Sequence, residues 1–555
     1  MKRFFSRGLT LLLALLLLLS ACTAPPSPPL PPATPPASDE GTPPPDETPI
    51  LATVYPEIRV SELVYPLPAA DGAAFDATHT ALTAIVARND AGEVNDYLAS
   101  LYKLNSLKVA YDAQRDIAEL LYSCHPTDKT AQKNTGDAEA AYLDVHRRFW
   151  DLLGDARAEG CVFADVTHAF VREEYPTATT ATKGTATYAQ MTALANELYA
   201  FNQSATREEA FPIYSRYLSL AHTYATLNGY TNFYEHQNAV AYGRDSTRLD
   251  RTRLRAYVKE YLVPLYREKR DEYHALYASL SRKERILSDR YLDDAYDSLD
   301  TDLLGAYFSS LPDDVREAMS GAFALDRVLI PKDDTAYVSA YVQTVGNTPV
   351  CYFHPTLTDL VTVSHELGHY YAHAANDTLD GASYDLRETH SQANTLLMLS
   401  YLGSTLDDRA FSAARAYAVS NLMYQAIVCT IRDEFEETLF KRGGTTLSSP
   451  DEIDAIMADL IEEYDVADLS SNITAQLMTF WHRQGLSSPG YYISYTASFV
   501  VAYQIYLLSL TDYEAAVTAY QALTENIEED ATFLATVRAA GLSSPFAETT
   551  YQDLE

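Results

Sequence analysis

From about residue 56 onward, apolar residues recur at three- and four-residue spacing along most of the chain. The segments ALTAIVARND (81–90), DYLASLYKLNSLKVAYDA (96–113) and YLDVHRRFWDLL (142–153) each gather them on one helical stripe. The pattern predicts a mainly α protein. Two capping boxes mark helix starts: Ser281-Arg282-Lys283-Glu284, and Ser449-Pro450-Asp451-Glu452 with proline at the first helical position. Strand patterning is confined to residues 335–355, where two β-branched and aromatic runs flank the turn-like pair Gly346-Asn347. No internal repeat of fixed period occurs. Most of the 42 tyrosines read as amphipathic packing residues.

The first 55 residues follow other rules. MKRFFSRGLTLLLALLLLLSAC has basic residues, an apolar run and small residues before Cys22, the layout of a secretory signal. Leu19-Ser20-Ala21-Cys22 resembles a bacterial lipobox. Residues 1–21 are therefore expected to be a lipoprotein signal peptide, with lipid on Cys22 holding the exported chain to the bacterial membrane. Residues 22–55 follow as a proline-rich tether. Residues 23–50 alone carry 12 of the 26 prolines, which exclude a packed core and extend to roughly 80 Å. No later run is long and apolar enough to span a bilayer. The rest divides into a helical N-terminal region, 56–195, and a second domain, 196–555. Of the four remaining cysteines, Cys124 and Cys161 are expected to pair, since export permits disulfides. Cys351 and Cys429 read as small buried apolar residues.

The formal charge is −35, and loss of the three basic residues in 1–21 takes it to −38. Such a body repels phosphate backbones and argues against a nucleic-acid partner. The chain has no GxSxG elbow and no GxxxxGK[ST] loop.

The motif with chemistry is His365-Glu366-Leu367-Gly368-His369. Positions i and i+4 of a helix share a face, so both imidazoles can meet one ion, and Glu366 can reach a water there. Thr358-Asp359 can cap the helix. Ala372 and Ala375 stand where a metzincin needs glycine and a third histidine. His373, one turn beyond His369, reads as a bystander. A third ligand must come from 381–402, where Glu388, Asp385 and His390 precede a strongly apolar helical half.

HELGH followed by Glu388-Thr389-His390-Ser391 resembles the thimet oligopeptidase and oligoendopeptidase F family of zinc peptidases, nearest its oligoendopeptidase F and Pz-peptidase branch. The lead-in PVCYFHPTLTDLVTVSHELGH resembles that family's edge strand, short loop and Asp-initiated helix. Pro489-Gly490-Tyr491-Tyr492-Ile493-Ser494-Tyr495 is similar to its tyrosine-rich P-F-Y-Y-I-x-Y segment. The resemblance covers roughly 200–545. It implies a two-lobed helical metallopeptidase with a deep central cleft, a small β element beside the HExxH helix, and one Zn²⁺ on His365, His369 and Glu388. It further implies Glu366 as general base, Tyr492 and Tyr495 as oxyanion donors, and oligopeptide substrates. The strand near Thr348–Phe353 is expected to bind peptide backbone by β-addition. Three positions depart from the family. Thr395 replaces a frequent glutamate. His482 is out of register with a histidine whose place Leu486 takes. The link from His369 to Glu388 is short. These departures leave a catalytically weakened peptide-binding lipoprotein as one alternative, and a metallocarboxypeptidase is another.

Overall fold

In the computed structural model the described residues are 52–175, 185–200, 206–244, 246–291, 301–332, 335–375, 383–406, 408–442, 447–484, 486, 488–525 and 532–554. The signal sequence, Cys22 and nearly all of the tether lie outside them.

The three-and-four spacing folds as helices with their stripes inward. Helix α1 (Gly72–Arg88) buries Phe75, Thr78, Leu82 and Ile85, and Asp71 caps it by accepting from the Ala74 amide. Helices α2 (Val94–Cys124) and α3 (Lys129–Ala156) are joined by a four-residue turn and run antiparallel, and α4 (Ala164–Glu174) follows. These four share one apolar core that includes Leu101, Phe149, Phe163 and Phe170. A much larger core collects side chains from Met191 to Leu554. A third cluster sets Ile117, Leu120 and Cys124 of α2 against Val345, Val350 and Tyr352 of the sheet.

That sheet is the only one among the described residues, with strands β1 (Val328–Leu329), β2 (Ala340–Val345) and β3 (Thr348–Phe353) in the order β1-β3-β2. The hairpin expected around Gly346-Asn347 forms in the register Val345↔Thr348 to Ala340↔Phe353. The expected edge strand does not. β3 is the central strand, because β1 pairs parallel to it through Val328↔Cys351 and Leu329↔Tyr352. Its backbone at Cys351 and Tyr352 is engaged on both sides, so β-addition is blocked at those two residues. A two-residue partner left no pattern in the sequence.

Two further expectations fail for geometric reasons. Cys124 and Cys161 are both free thiols. Cys124 ends α2, whereas Cys161 follows α3, which has run back along α2. Phe163 there stacks on Tyr97, near the start of α2. The 27 residues between Tyr97 and Cys124 span about 40 Å of helix, far beyond disulfide reach. The second capping box shifts by one residue: Pro450 opens the helix Pro450–Glu463, but Ser448, not Ser449, bonds the Glu452 carboxylate. The first forms as expected, with Ser281 N donating to Glu284 at 2.7 Å and Glu284 N to Ser281 Oγ at 3.3 Å. No helix among the described residues is long and apolar enough to cross a membrane.

Candidate active site

Helix α5 (Leu360–Ala375) carries the HExxH motif. Asp359 caps it: Oδ1 accepts from the amides of Val361 and Thr362, each at 3.0 Å, and Oδ2 from the Thr362 hydroxyl at 2.7 Å. The i, i+4 spacing brings the rings of His365 and His369 to 5.0 Å between centroids, nearly perpendicular.

Helix α6 (Tyr384–Thr405) brings the carboxylate. Gly368 controls how close it comes. A Cβ there would lie 2.7 Å from the His390 carbonyl oxygen and 2.7 Å from the Ser391 Cα, so only glycine lets the two backbones touch. Alanine would force them apart at a cost of about 1–3 kcal/mol. Asn394 ties the pair by donating to the Ser364 carbonyl at 2.6 Å, and Tyr307 donates to Asn394 at 2.6 Å. Thr395, in place of the expected glutamate, accepts from Ser364 Oγ at 3.3 Å. It serves the helix contact.

At this approach Glu388 Oε2 lies 3.8 Å from Nε2 of His365 and 3.8 Å from Nε2 of His369. The three side chains are the one group of potential metal ligands found among the described residues. Nε2 of His369, Oε2 of Glu388 and both carboxylate oxygens of Glu366 are buried without a hydrogen-bond partner. Buried acceptors left unpaired are costly, and the ligand atoms of His365, His369 and Glu388 all lie within 4.8 Å of one another. Two imidazoles and a carboxylate form a donor set that a zinc ion takes. Tetrahedral bonds of about 2.1 Å set ligand atoms roughly 3.4 Å apart, which a small rotamer adjustment reaches from 3.8 Å. The residues fit the metal.

Electrostatics point the same way. Burial pushes the His365 pKa down to about 4. Burial, reinforced by neighbouring histidines and Arg387, drives His369 well below its usual range. Both rings are neutral at pH 7, with lone pairs available. Burial raises Glu388 to about 7, against the hydrogen bond from Tyr491. Burial and the Glu388 charge raise Glu366 well above the carboxylate range. A cation at the cluster acts oppositely and favours both carboxylates.

The competing ligands are engaged elsewhere. His390 bridges α6 to helix α10 (Tyr513–Glu525), with Nδ1 2.9 Å from the Leu386 carbonyl and Nε2 2.9 Å from Thr524 Oγ1. Asp385 accepts from Arg244 and Ser494. His373 is half-buried and outside the ligand group. His482 packs edge-on against Trp481.

The tyrosine segment leads into helix α9 (Ile493–Ser509). Tyr491 OH donates to Glu388 Oε1, and the hydroxyls of Tyr491 and Tyr495 are 3.5 Å apart. Tyr492 is not brought to this group. Its ring packs on Phe480 of helix α8 (Ile473–Arg483) and on the guanidinium of Arg432, in helix α7 (Arg409–Arg442). Consecutive residues entering a helix diverge by about 100°, whereas Tyr491 and Tyr495 are i, i+4. The same periodicity that paired His365 with His369 was the available signal for Tyr491. Nothing in the sequence marked Arg244.

No protein-family model matches the chain, and no curated protein does. Solved structures match over most of its length. Pz peptidase A with an inhibitor superposes with TM-score 0.67 at 16% identity, covering 89% of this chain and 97% of that one. A candidate oligoendopeptidase F superposes with TM-score 0.64 at 17% identity, covering 90% and 97%. A second, from Bacillus anthracis str. Ames, gives 0.63 at 15%, covering 89% and 96%. The fold is that of these helical proteins: mainly α, with a small sheet beside the HExxH helix.

Proposed function

We propose that this protein is a zinc-dependent endopeptidase that hydrolyses oligopeptides outside the cytoplasm. The observation that carries the reading is the convergence of His365, His369 and Glu388, with His369 Nε2 and Glu388 Oε2 buried and unpaired, and with an unpaired Glu366 carboxylate next to the first ligand in sequence. The fold shared with Pz peptidase A and the oligoendopeptidase F structures supports it.

His365, His369 and Glu388 would hold one Zn²⁺. The ion, when bound, supplies Lewis acidity, polarising a peptide carbonyl and making hydroxide available near pH 7. Glu366 takes the proton of the attacking water and delivers it to the departing amine. Its burial suits that task, since a carboxylate raised above its usual range holds a proton long enough to pass it on. Tyr495 donates to the carbonyl oxygen as charge develops. Tyr491 gives its single hydroxyl proton to Glu388, which it orients, and so leaves the oxyanion to Tyr495. Removing the base while keeping the side-chain shape tests the scheme. Glu366→Gln is expected to retain zinc and lose about 10³-fold in cleavage of a quenched fluorescent peptide. Equal cleavage by the variant contradicts it.

The same reading keeps the chain on the membrane through lipid on Cys22 and the proline-rich tether. Labelled fatty acid is expected on the wild type and absent from Cys22→Ser. Labelling of both, or of neither, contradicts the anchor.

A further inference from the structure

Arg244 is wholly buried and far in sequence from every motif, yet its guanidinium makes five hydrogen bonds around the site. Nε donates to Asp385 Oδ1 at 3.1 Å. Nη1 donates to Asn238 Oδ1 at 2.7 Å and to the Gly490 carbonyl. Nη2 donates to Ser494 Oγ at 2.9 Å and to the Tyr491 carbonyl at 3.2 Å. Ser494 Oγ closes a ring by donating to Asp385 Oδ1 at 2.7 Å. The Tyr242 ring covers the guanidinium at 4.7 Å, and its hydroxyl donates to the Pro489 carbonyl at 3.0 Å. Glu436 accepts from the Gly490 amide at 2.7 Å. Gly490 itself has φ +82°, a conformation that suits glycine.

Apart from Asn238, six residues before the arginine, the acceptors belong to the first turn of α6, the turn 488–491 and the first turn of α9. Glu388 stands one turn after Asp385. Tyr491, whose carbonyl Arg244 holds, sends its hydroxyl to Glu388 Oε1. A planar, forked cation is the side chain that can bind five acceptors at fixed angles.

We propose that Arg244 is a positioning residue for the ligand set: it locks segment 489–494 onto α6, which seats Tyr491 on Glu388 Oε1 and leaves Oε2 facing the two imidazoles. This rests on the zinc reading above. Arg244 acts through Tyr491, so its contribution to metal affinity disappears when the phenol is gone. A residue that only holds the fold together contributes independently of Tyr491.

The test is a double-mutant cycle on the full chain, reading zinc affinity by competition with a chelator. Arg244→Lys and Tyr491→Phe are each expected to weaken zinc binding about tenfold. The double variant is expected to bind as Tyr491→Phe alone does. Wild-type affinity in Arg244→Lys, or losses that multiply in the double variant, overturns the proposal. Should Arg244→Lys fail to fold, Asp385→Asn keeps the shape of the partner and runs the same cycle with the same two outcomes. A wild type that takes up no stoichiometric zinc overturns the metal reading itself, whereas multiplying losses in a zinc-loaded wild type overturn only the role of Arg244.

Discussion

Two clusters of histidine and carboxylate lie between packed helices, and they differ in one respect. Between α2 and α3, Asp112 accepts from Lys108 Nζ at 2.8 Å and pairs with His146 Nε2 at 2.9 Å. Burial pushes the Asp112 pKa up, but the His146 hydrogen bond and the Lys108 charge outweigh it, and the net shift is downward. Every charge there has an opposite. Between α5 and α6, burial outweighs the Arg387 charge at Glu388 and joins the Glu388 charge at Glu366, so both carboxylates move upward, and Glu388 Oε2 and both Glu366 oxygens stay unpaired. A cluster satisfied from within holds two helices together. A cluster whose lone pairs converge unsatisfied is built for something that arrives from outside.

The comparison is sharpened most by pH. In the metal-free protein Glu388 holds a proton below about 7, while His365 gains one only near 4. An ion must displace the carboxyl proton, so zinc affinity falls as pH falls. With the pKa at about 7, displacing the Glu388 proton lowers affinity about 50-fold between pH 7 and pH 5, approaching tenfold per unit at the lower end. Zinc titrations across that range check the slope. Glu366, held well above the carboxylate range, adds any proton of its own across the whole window, so a further proton that appears only below about 6.5 would mean that the imidazoles titrate normally and are not desolvated.

The paired cluster is expected to answer to stability alone. Asp112→Asn leaves the Lys108 ammonium, 5% exposed, without its counter-charge. The expected cost is about 2 kcal/mol in urea unfolding, with zinc affinity unchanged. A shift in zinc affinity would show that the two clusters are coupled and that the contrast drawn between them fails.

The legible parts of the site are those fixed by short-range rules. The i, i+4 pair His365 and His369, the Asp359 cap and the Gly346-Asn347 hairpin follow from periodicity and turn chemistry within a few residues. Glu388 was reachable through resemblance, in the HELGH motif followed by the E-x-x-S context. The rest depends on packing across the chain. Tyr492 was expected where Tyr491 stands, since the segment begins before α9 and a one-residue register change turns the side chain to α7 and α8. The Cys124 and Cys161 thiols looked close along the sequence, but the α2–α3 hairpin carries them to opposite ends. Strand β3 looked like an edge because its second partner is two residues long. Arg244 sits 141 residues before Asp385, and no local pattern ties the two together.

Metal stoichiometry tests the central claim most directly. Purified, metal-stripped protein is titrated with zinc beside His369→Ala, with bound metal counted per chain by atomic spectroscopy. One tightly held zinc per wild-type chain, and none in His369→Ala, is the expected result. No stoichiometric zinc in the wild type, or equal uptake by the variant, would contradict the reading of these residues as a metal site.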